Sequence, residues 1–302
     1  MNFSTIFVFG ATGTQGGAVT KHLLQHGAKV RTITRKPESP AAQKLQSLGV
    51  SVEKGDLENE KSLYDNIANC TSLFLVLTAG EEEINQARRV MAVAKKAGVQ
   101  QIVYSSGAGI NRLEEFSHWN PNAFFGKMLL SKKTIEEEVR NAGFKYWTIL
   151  RPGNFMSNFL PPHVHMYKGF LETGQFTTAW TPETLLAMVD PNDIGKFGAA
   201  ALLYPAKFQK KDIDLASELL GIECTIQKLS KTTGRDLKVV FLSQEEVEAQ
   251  SQADPFIKAQ LVMGEQANFV DMNKVKSWNI DLGNFEQFLE REKDDIVKTF
   301  AQ

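Results

Sequence analysis

A strand-like segment followed by three spaced glycines, near the start of the chain, constrains the fold more than any other feature of the sequence. Thr5 to Gly17 read TIFVFGATGTQGG, so that a β-branched and aromatic run gives way to glycines and then to the helical pattern AVTKHLLQHG. Glycines let a backbone pass close to a pyrophosphate, whose charge then lies on the free N–H groups at the positive end of a helix. The pattern predicts a strand, a phosphate-binding turn and a helix. The turn residues expected to contact a dinucleotide are Gly10, Thr12, Gly13, Thr14, Gln15 and Gly16.

The end of the second predicted strand indicates which dinucleotide is preferred. In this kind of fold an Asp or Glu at that position accepts from the ribose 2′-hydroxyl of NAD. Here the strand from Lys29 to Thr34 is followed by Arg35 and Lys36, with no carboxylate. Two cations favour a 2′-phosphate and therefore NADP(H). A solvated basic turn before Pro37 is the alternative interpretation.

Two further strand ends supply candidate cofactor contacts. The third strand, Val50 to Lys54, is followed by Asp56 and Leu57, where a carboxylate and a backbone amide can hold the adenine edge. A Gly-Asp pair is also an ordinary strand-to-helix turn. We add Leu77 and Thr78, at the end of the fourth strand, to the expected contacts.

Strands alternate with helices through about residue 150. The predicted strands are the apolar runs Ile6 to Phe9, Val30 to Ile33, Val50 to Val52, Leu73 to Leu77, Ile102 to Tyr104 and Trp147 to Leu150. Helical stretches begin near Thr14, Pro40, Glu60, Glu82 and Asn122. Parallel neighbours need crossover connections, so this alternation predicts an α/β fold with a doubly wound parallel sheet of the Rossmann type.

After Arg151 the pattern loosens, which predicts a smaller C-terminal α/β lobe. A loop rich in Pro, Gly and aromatic residues runs to about Glu183. The remaining predicted elements are a helix at 193–203, strands at 212–215 and 237–241, a helix at 224–233 and helical stretches filling 244–267 and 285–300. We therefore expect an NADP-binding domain over 1–155, its sheet completed by segments from 185–240, and a lobe for substrate or partner over 156–302.

Composition excludes several classes of protein. The 302 residues are 42% hydrophobic, enough to bury a substantial core, and 34 basic against 35 acidic residues give a net charge of −1. No overall field attracts nucleic acid or an anionic membrane. Two cysteines, Cys70 and Cys224, are too few for a disulfide framework or a zinc site, and we expect no metal. Without a long apolar run, we expect a cytoplasmic protein with no membrane segment.

Several motifs together resemble a known family. The segments GATGTQGG, TRKP, GDL, YSSG, SKKTIEEEVRNAG with TILRPGNF, and VDPNDIG resemble, in order and spacing, the NmrA-like branch of the atypical short-chain dehydrogenase/reductase superfamily. The resemblance implies a Rossmann domain, a small C-terminal substrate lobe and bound NADP(H). It also implies that Pro152, Asn154 and Phe155 contact the nicotinamide part of the cofactor. The family contains reductases, non-redox biosynthetic enzymes and non-catalytic redox sensors.

The usual proton donor of the superfamily is absent. There a Tyr and a Lys four residues later share a helix face, so that the ammonium lowers the pKa of the phenol that protonates the substrate. The chain has five tyrosines. The residues four positions after them are Ala68, Ala108, Leu150, Leu171 and Phe208. The Tyr-x-x-x-Lys pair is therefore missing.

A lysine of that pair is nevertheless identifiable. In the helix from about Asn122, Lys132 shares a face with Ile135 and Val139, whereas Lys133 lies beside Glu136 on the face expected to be solvent-exposed. An ammonium group on an apolar helix face needs a polar partner, and the hydroxyl groups of the nicotinamide ribose can provide one. Lys132 also matches the lysine that the resembled family places in this helix. One alternative is that Lys132 only covers core surface with its aliphatic stem and holds its ammonium group in solvent. The other is that the helix phase is off by one residue and Lys133 contacts the ribose.

Two more side chains are candidates for catalysis. Ser106, which follows Ser105 at the end of strand five, can orient a carbonyl, although serines at strand ends also begin turns. His118 can replace the missing Tyr as proton donor. It belongs to an aromatic group that can line a pocket for a flat apolar substrate or simply pack in the core. The other members of the group are Phe116, Trp119, Phe124 and Phe125.

Three functional hypotheses follow from these residues. The first is an NADPH-dependent reductase of a small aromatic or conjugated carbonyl or alkene, with Lys132 holding the ribose and acting as acid or base. The second is a redox sensor that binds NADP(H) and a regulatory protein without catalysis. The third is a non-redox biosynthetic enzyme that retains NADP and works through Ser106 or His118. We expect a monomer or a homodimer in each case.

Overall fold

The computed structural model describes residues 5–301, and it confirms the predicted alternation of strands and helices. The strands are β1 (Thr5–Val8), β2 (Lys29–Thr34), β3 (Ser51–Lys54), β4 (Cys70–Leu75), β5 (Gln101–Ser105), β6 (Tyr146–Pro152), β7 (Asn154–Phe155), β8 (Gln175–Thr178), β9 (Leu185–Val189), β10 (Lys211–Leu215), β11 (Glu218–Gly221) and β12 (Lys238–Phe241). The helices are α1 (Thr14–Gln25), α2 (Pro40–Ser47), α3 (Glu60–Ile67), α4 (Glu83–Lys96), α5 (Phe124–Asn141), α6 (Phe170–Thr173), α7 (Pro191–Leu203), α8 (Pro205–Phe208), α9 (Ile222–Thr233), α10 (Gln244–Gln250), α11 (Pro255–Glu265), α12 (Met272–Lys276), α13 (Phe285–Arg291) and α14 (Lys293–Phe300).

The main sheet has the topology expected of a Rossmann-type fold. Its strand order is β10-β6-β5-β4-β1-β2-β3, and each pairing from β6 across to β3 is parallel. The chain moves outward from β1 to β3 and then returns to the other side of β1 with β4. In open α/β sheets, ligands bind beyond the carboxyl ends of the strands at such a switch point. The turn after β1 therefore lies where a dinucleotide site is expected.

The first of two compact units contains most of this sheet and its flanking helices. It comprises the chain up to Ile110, then Met128–Arg151 and Ile194–Ile213. Its core is continuous from β1 through β4 and β5, where Phe7, Leu73 and Ile102 are fully buried. Central parallel strands are covered on both faces, which explains why they appear in the sequence as unbroken apolar runs.

The second unit has its own core and two small sheets. It comprises Asn111–Lys127, Pro152–Asp193 and the chain from Asp214 onward. Its sheets have the orders β11-β9-β7 and β12-β8. The loop expected up to Glu183 is wrong in detail, because it contains β7, β8 and short helical turns. The strand β9 (LLAMV) is a short apolar run whose type cannot be told from periodicity alone.

The late helical stretches are also shorter than expected. The stretch predicted over Gln244 to Ala267 is divided into α10 and α11, because the Asp254 side chain caps α11 and Pro255 occupies its first turn. The stretch from Phe285 to Phe300 is likewise divided into α13 and α14, with Glu292 between them. Within residues 5–301, no helix combines the length and apolar character needed to cross a bilayer.

Candidate functional site

The glycines of the turn after β1 have different structural tasks. Gly10 has a φ of +66°, in the left-handed region that favours glycine. A Cβ on Gly16 would overlap the carbonyl oxygens of Phe9 and Gly10, so this glycine lets α1 approach the end of β1. A Cβ on Gly13 would meet only the Gly10 carbonyl oxygen, at 3.4 Å. The backbone conformation therefore requires glycine at position 10, and the packing of α1 requires glycine at position 16. No close contact requires glycine at position 13, which is consistent with a role in binding a ligand.

The start of α1 is open to an anion. Gly13 is the N-cap and has no side chain to accept from the first N–H groups, and the first turn contains no acidic residue. Thr12, Gly13 and Thr14 are exposed, and Gln15 is half-buried. The first N–H groups of a helix have no partner within it and carry the positive end of its dipole. The residues present thus fit a pyrophosphate.

Two cations follow β2 directly. Arg35 and Lys36 are both exposed, and the Lys36 backbone N–H donates to the Thr34 hydroxyl at 3.2 Å. In the described part of the chain, neither cationic side chain pairs with a carboxylate. Both are consequently available to an anionic group of a ligand.

The Gly-Asp turn after β3 is partly engaged in local structure. One carboxylate oxygen of Asp56 accepts from the N–H groups of Glu58 at 2.8 Å and Asn59 at 3.0 Å. The backbone carbonyl of Leu57 accepts from Arg89 at 2.9 Å. Asp56 therefore organises the entry into α3, and being exposed it also presents its carboxylate to solvent.

Two serines at the end of β5 have different environments. The Ser105 hydroxyl donates to the Gln15 side-chain oxygen at 2.6 Å, which ties β5 to α1. The Ser106 hydroxyl is buried and has no hydrogen-bond partner among the described residues. A buried hydroxyl without a partner requires an explanation such as a ligand or a water. At the neighbouring strand end, Leu77 is buried and Thr78 is exposed.

Lys132 is held by a buried carboxylate. Its ammonium donates to Glu83 at 2.9 Å, and the Ser131 hydroxyl donates to the other oxygen of Glu83 at 2.8 Å. The Glu83 side chain is fully buried, and Lys132 is 17% exposed. The ammonium on this face thus has a structural partner within the first unit, a possibility that the sequence pattern did not suggest.

The expected solvent face of α5 is wrong. Glu136 and Leu129, which flank Lys133 on that side, are both buried, and Lys133 itself is half-buried. The reason is Arg151, the residue before the end of β6, which is buried and donates to Glu136 at 2.9 and 2.6 Å. A run of three glutamates at 136–138 therefore has one member directed inward.

Tyr104 does not compensate for the missing tyrosine. Its hydroxyl is buried without a partner among the described residues. Burial, and then the charges of Glu83 and Glu136, raise the pKa of Tyr104 well above its ordinary value. The phenol is therefore a poor proton donor.

The chain from Pro152, the last residue of β6, to Asp193 belongs to the second unit. Pro152 and Asn154 are buried, and Phe155 is half-buried. The Asn154 amide donates to the Met263 carbonyl oxygen at 3.3 Å. A Cβ on Gly153 would overlap Ala187, so this glycine allows close packing against β9.

His118 also belongs to the second unit, where its imidazole lies 2.7 Å from a Glu265 carboxylate oxygen. Lys132 and Ser106 belong to the first unit. Of the aromatic residues expected to accompany His118, Phe116 pairs with Phe269 and Phe124 is 75% exposed.

Sequence reasoning missed the carboxylates that hold Lys132 and His118. Glu83 is the last of three consecutive glutamates at a helix start, which is typical of residues that only complement the helix dipole. Glu265 lies at the end of a helix, where an acidic residue is unfavourable for the dipole, and this is the one sequence signal that sets it apart.

Comparisons with known proteins identify the family and the fold. The sequence model of the NmrA-like family matches residues 2–289. An NmrA-like family domain-containing oxidoreductase, malD of Malbranchea aurantiaca, is 28% identical over 258 residues, covering 78% of this chain and 75% of the relative. An NADPH-dependent quinone oxidoreductase of Escherichia coli, solved with NADPH, has a TM-score of 0.75 at 20% identity, covering 95% of this chain and 99% of that one. NmrA, a negative transcriptional regulator solved with NADP, has a TM-score of 0.66 at 20% identity, covering 100% and 92%.

Proposed function

The chain belongs to the NmrA-like family, and from that premise we propose that it is an NADPH-dependent oxidoreductase. The proposed substrate is a small aromatic or conjugated carbonyl or alkene. The observation that carries the proposal is the uncapped, glycine-built start of α1 together with two unpaired cations at the end of β2. The neighbour that reduces quinones, which are conjugated carbonyls, supports the substrate class.

Residues of the first unit would hold the cofactor. The turn from Gly10 to Gly16 would bind the pyrophosphate, and Arg35 with Lys36 would bind the 2′-phosphate. The turn at Asp56 and Leu57 and the strand end at Leu77 and Thr78 would border the adenosine. For Pro152, Asn154 and Phe155, a contact with the nicotinamide stays a prediction from the family resemblance.

When bound, NADPH supplies a hydride. Lys132 contributes a fixed cationic donor, because one of its N–H groups is directed to Glu83 and the others remain for a ribose hydroxyl. The unsatisfied Ser106 hydroxyl would donate to an oxygen of the substrate or of the carboxamide. Neither role needs the tyrosine that the chain lacks.

A cofactor titration tests the binding site. NADPH should bind at least about tenfold more tightly than NADH, a difference of about 1.4 kcal/mol. Arg35→Glu should reverse the preference. Lys29→Glu, the same charge change at the other end of β2, should leave it unchanged. Equal affinities of the wild-type protein for both cofactors would refute the assignment.

The role of Lys132 needs a variant that leaves no unpaired buried charge. Lys132→Met combined with Glu83→Gln should weaken NADPH binding and remove most turnover of a quinone substrate, followed by NADPH absorbance. Lys133→Met, the same change at the neighbouring half-buried lysine, is the comparison variant and should retain both. Unchanged binding and turnover in the double variant would make Lys132 structural; the reverse order of effects would transfer the role to Lys133.

The redox-sensor function is the second candidate, favoured by the engagement of Lys132 with Glu83 and by the unavailable Tyr104 phenol. A sensor should bind NADPH as tightly as proposed but consume none with any member of a quinone, enone and aldehyde panel. Its affinity for a regulatory protein should depend on the NADPH/NADP ratio. Turnover of one panel member would exclude the sensor as the sole function.

A further inference from the structure

The second unit contains a cleft of about 440 Å³ within its own fold. This volume lies in the range of small-molecule sites. The walls include the apolar side chains of Trp180, Leu185, Leu219 and Leu261. The polar side chains along them are those of His118, Thr181, Glu183, Thr184, Glu265 and Asn268. The cleft therefore combines an apolar surface with polar groups that can orient a ligand, as ligand sites do.

Helix α11 holds one wall in place through Gln260. The side-chain oxygen of Gln260 accepts from the Thr178 hydroxyl at 2.9 Å and from the Ala179 N–H at 2.8 Å, and its backbone oxygen accepts from the Trp180 indole. A Cβ on Gly264 would lie 2.9 Å from the Trp180 ring, so only a glycine allows this approach. The position of the indole is thus fixed before any ligand binds.

The same helix orients His118 through Glu265. One Glu265 oxygen accepts from the Ser117 N–H at 2.6 Å, and the other accepts from the His118 N–H at 3.1 Å and lies 2.7 Å from His118 Nδ1. A carboxylate only accepts, so Nδ1 carries a proton, and whenever the ring is neutral Nε2 is the acceptor. The His118 side chain is 50% exposed and still has a fixed orientation.

The charges of the cleft define which ligand it suits. Glu183 and Glu265 lie along its walls, whereas no Lys or Arg does so among the described residues. Carboxylates without a compensating cation disfavour phosphates and carboxylic acids. We propose that this cleft binds a small, neutral aromatic compound with a hydroxyl group, whose O–H donates to Nε2 of His118. This site does not depend on NADP(H) binding or on the proposed reductase activity.

Two probes that differ in one hydrogen-bond donor test the proposal on the wild-type protein. p-Cresol has the ring and the hydroxyl, and p-methylanisole has the same ring with the oxygen methylated. By NMR titration we expect p-cresol to bind with a Kd of about 0.1–1 mM and to shift the His118 ring resonances. p-Methylanisole should bind at least about fivefold more weakly. Equal binding of the two probes, or no binding of p-cresol, overturns the proposal.

A pair of histidine variants provides the second arm of the test. His118→Ala should reduce p-cresol affinity to that of p-methylanisole. His163→Ala, a change at an exposed histidine of the same unit that does not line the cleft, should leave it unchanged. If His118→Ala binds p-cresol as the wild-type protein does, the hydroxyl is not recognised by His118 and the proposal fails. NADPH affinity should be the same in both variants.

Discussion

Replacing Glu136 with glutamine tests the energetic role of the buried ion pairs beside α5. The side chains of Glu136 and Arg151 are 1% and 2% exposed, and Arg140 donates to the same carboxylate at 2.8 Å. Glutamine has nearly the same volume, so the variant removes a charge without creating a cavity. Removing one partner of a buried ion pair costs about 3–5 kcal/mol. Asp212 still contacts Arg151 at 3.0 Å, so we expect a loss near about 3 kcal/mol.

This loss should lower the Tm by roughly 6–12 °C, because each kcal/mol shifts the Tm of a chain of this size by about 2–4 °C. Urea unfolding followed by circular dichroism measures the free energy, and hydrogen exchange in a peptide covering β6 shows whether the first unit is affected. Glu137→Gln, an exposed neighbour, should change stability by less than about 0.5 kcal/mol. Combining Glu136→Met with Arg151→Met should restore much of the loss. A cost below about 1 kcal/mol for Glu136→Gln would refute the reasoning.

Three further predictions concern single side chains. Gly13→Val should abolish NADPH binding, measured by calorimetry, while its circular dichroism spectrum stays that of the wild-type protein. Gly16→Val should instead disrupt the first unit. Micromolar NADPH binding by Gly13→Val would contradict the proposed phosphate site. Burial raises the pKa of Cys70 from 9.0 to about 11, so the contribution of its thiol to stability is complete below pH 9 and is lost as pH rises toward 11. Relative to Cys70→Ala, the wild-type protein should lose about 2–3 kcal/mol of unfolding free energy over that interval. A parallel pH dependence of both proteins would refute this. A thiol reagent at neutral pH should label the half-buried Cys224 in the folded protein and Cys70 only after unfolding, as measured by mass spectrometry of the peptides.

The elements of the first half of the chain could be predicted because each is specified locally. The apolar runs that become β1 to β6 are bounded by glycines or charged turns, and Asn59 and Ser39 cap the helices that follow their strands. The second unit offered weaker signals, since β7 and β9 pair only with segments distant in sequence. Their identity is settled by tertiary pairing rather than by periodicity.

The residues of the candidate site likewise fall into those that the sequence could predict and those that it could not. The glycine turn and the cations after β2 are contiguous in sequence, and their chemistry follows from residue type and position. Glu83, Glu136 and Glu265 each find a partner at least 15 residues away, as the bonds to Lys132, Arg151 and His118 show. No local pattern distinguishes Glu83 and Glu136 from solvated neighbours, and only its position at the end of α11 sets Glu265 apart. Because Glu136 is directed inward to Arg151, helix phasing alone predicted the wrong exposed face of α5.

The interleaving of the two units determines the order in which a ribosome can complete them. The first unit needs Ile194–Ile213, which are synthesised only after Pro152–Asp193 of the second unit have emerged. A nascent chain that ends near residue 155 therefore contains β1 to β6 but lacks α7 and the edge strand β10. During that interval the edge of β6 has no neighbouring strand, and an unpaired strand edge is a template for association with other chains. We therefore expect nascent chains to be most prone to association through this edge while residues 156–215 are being synthesised.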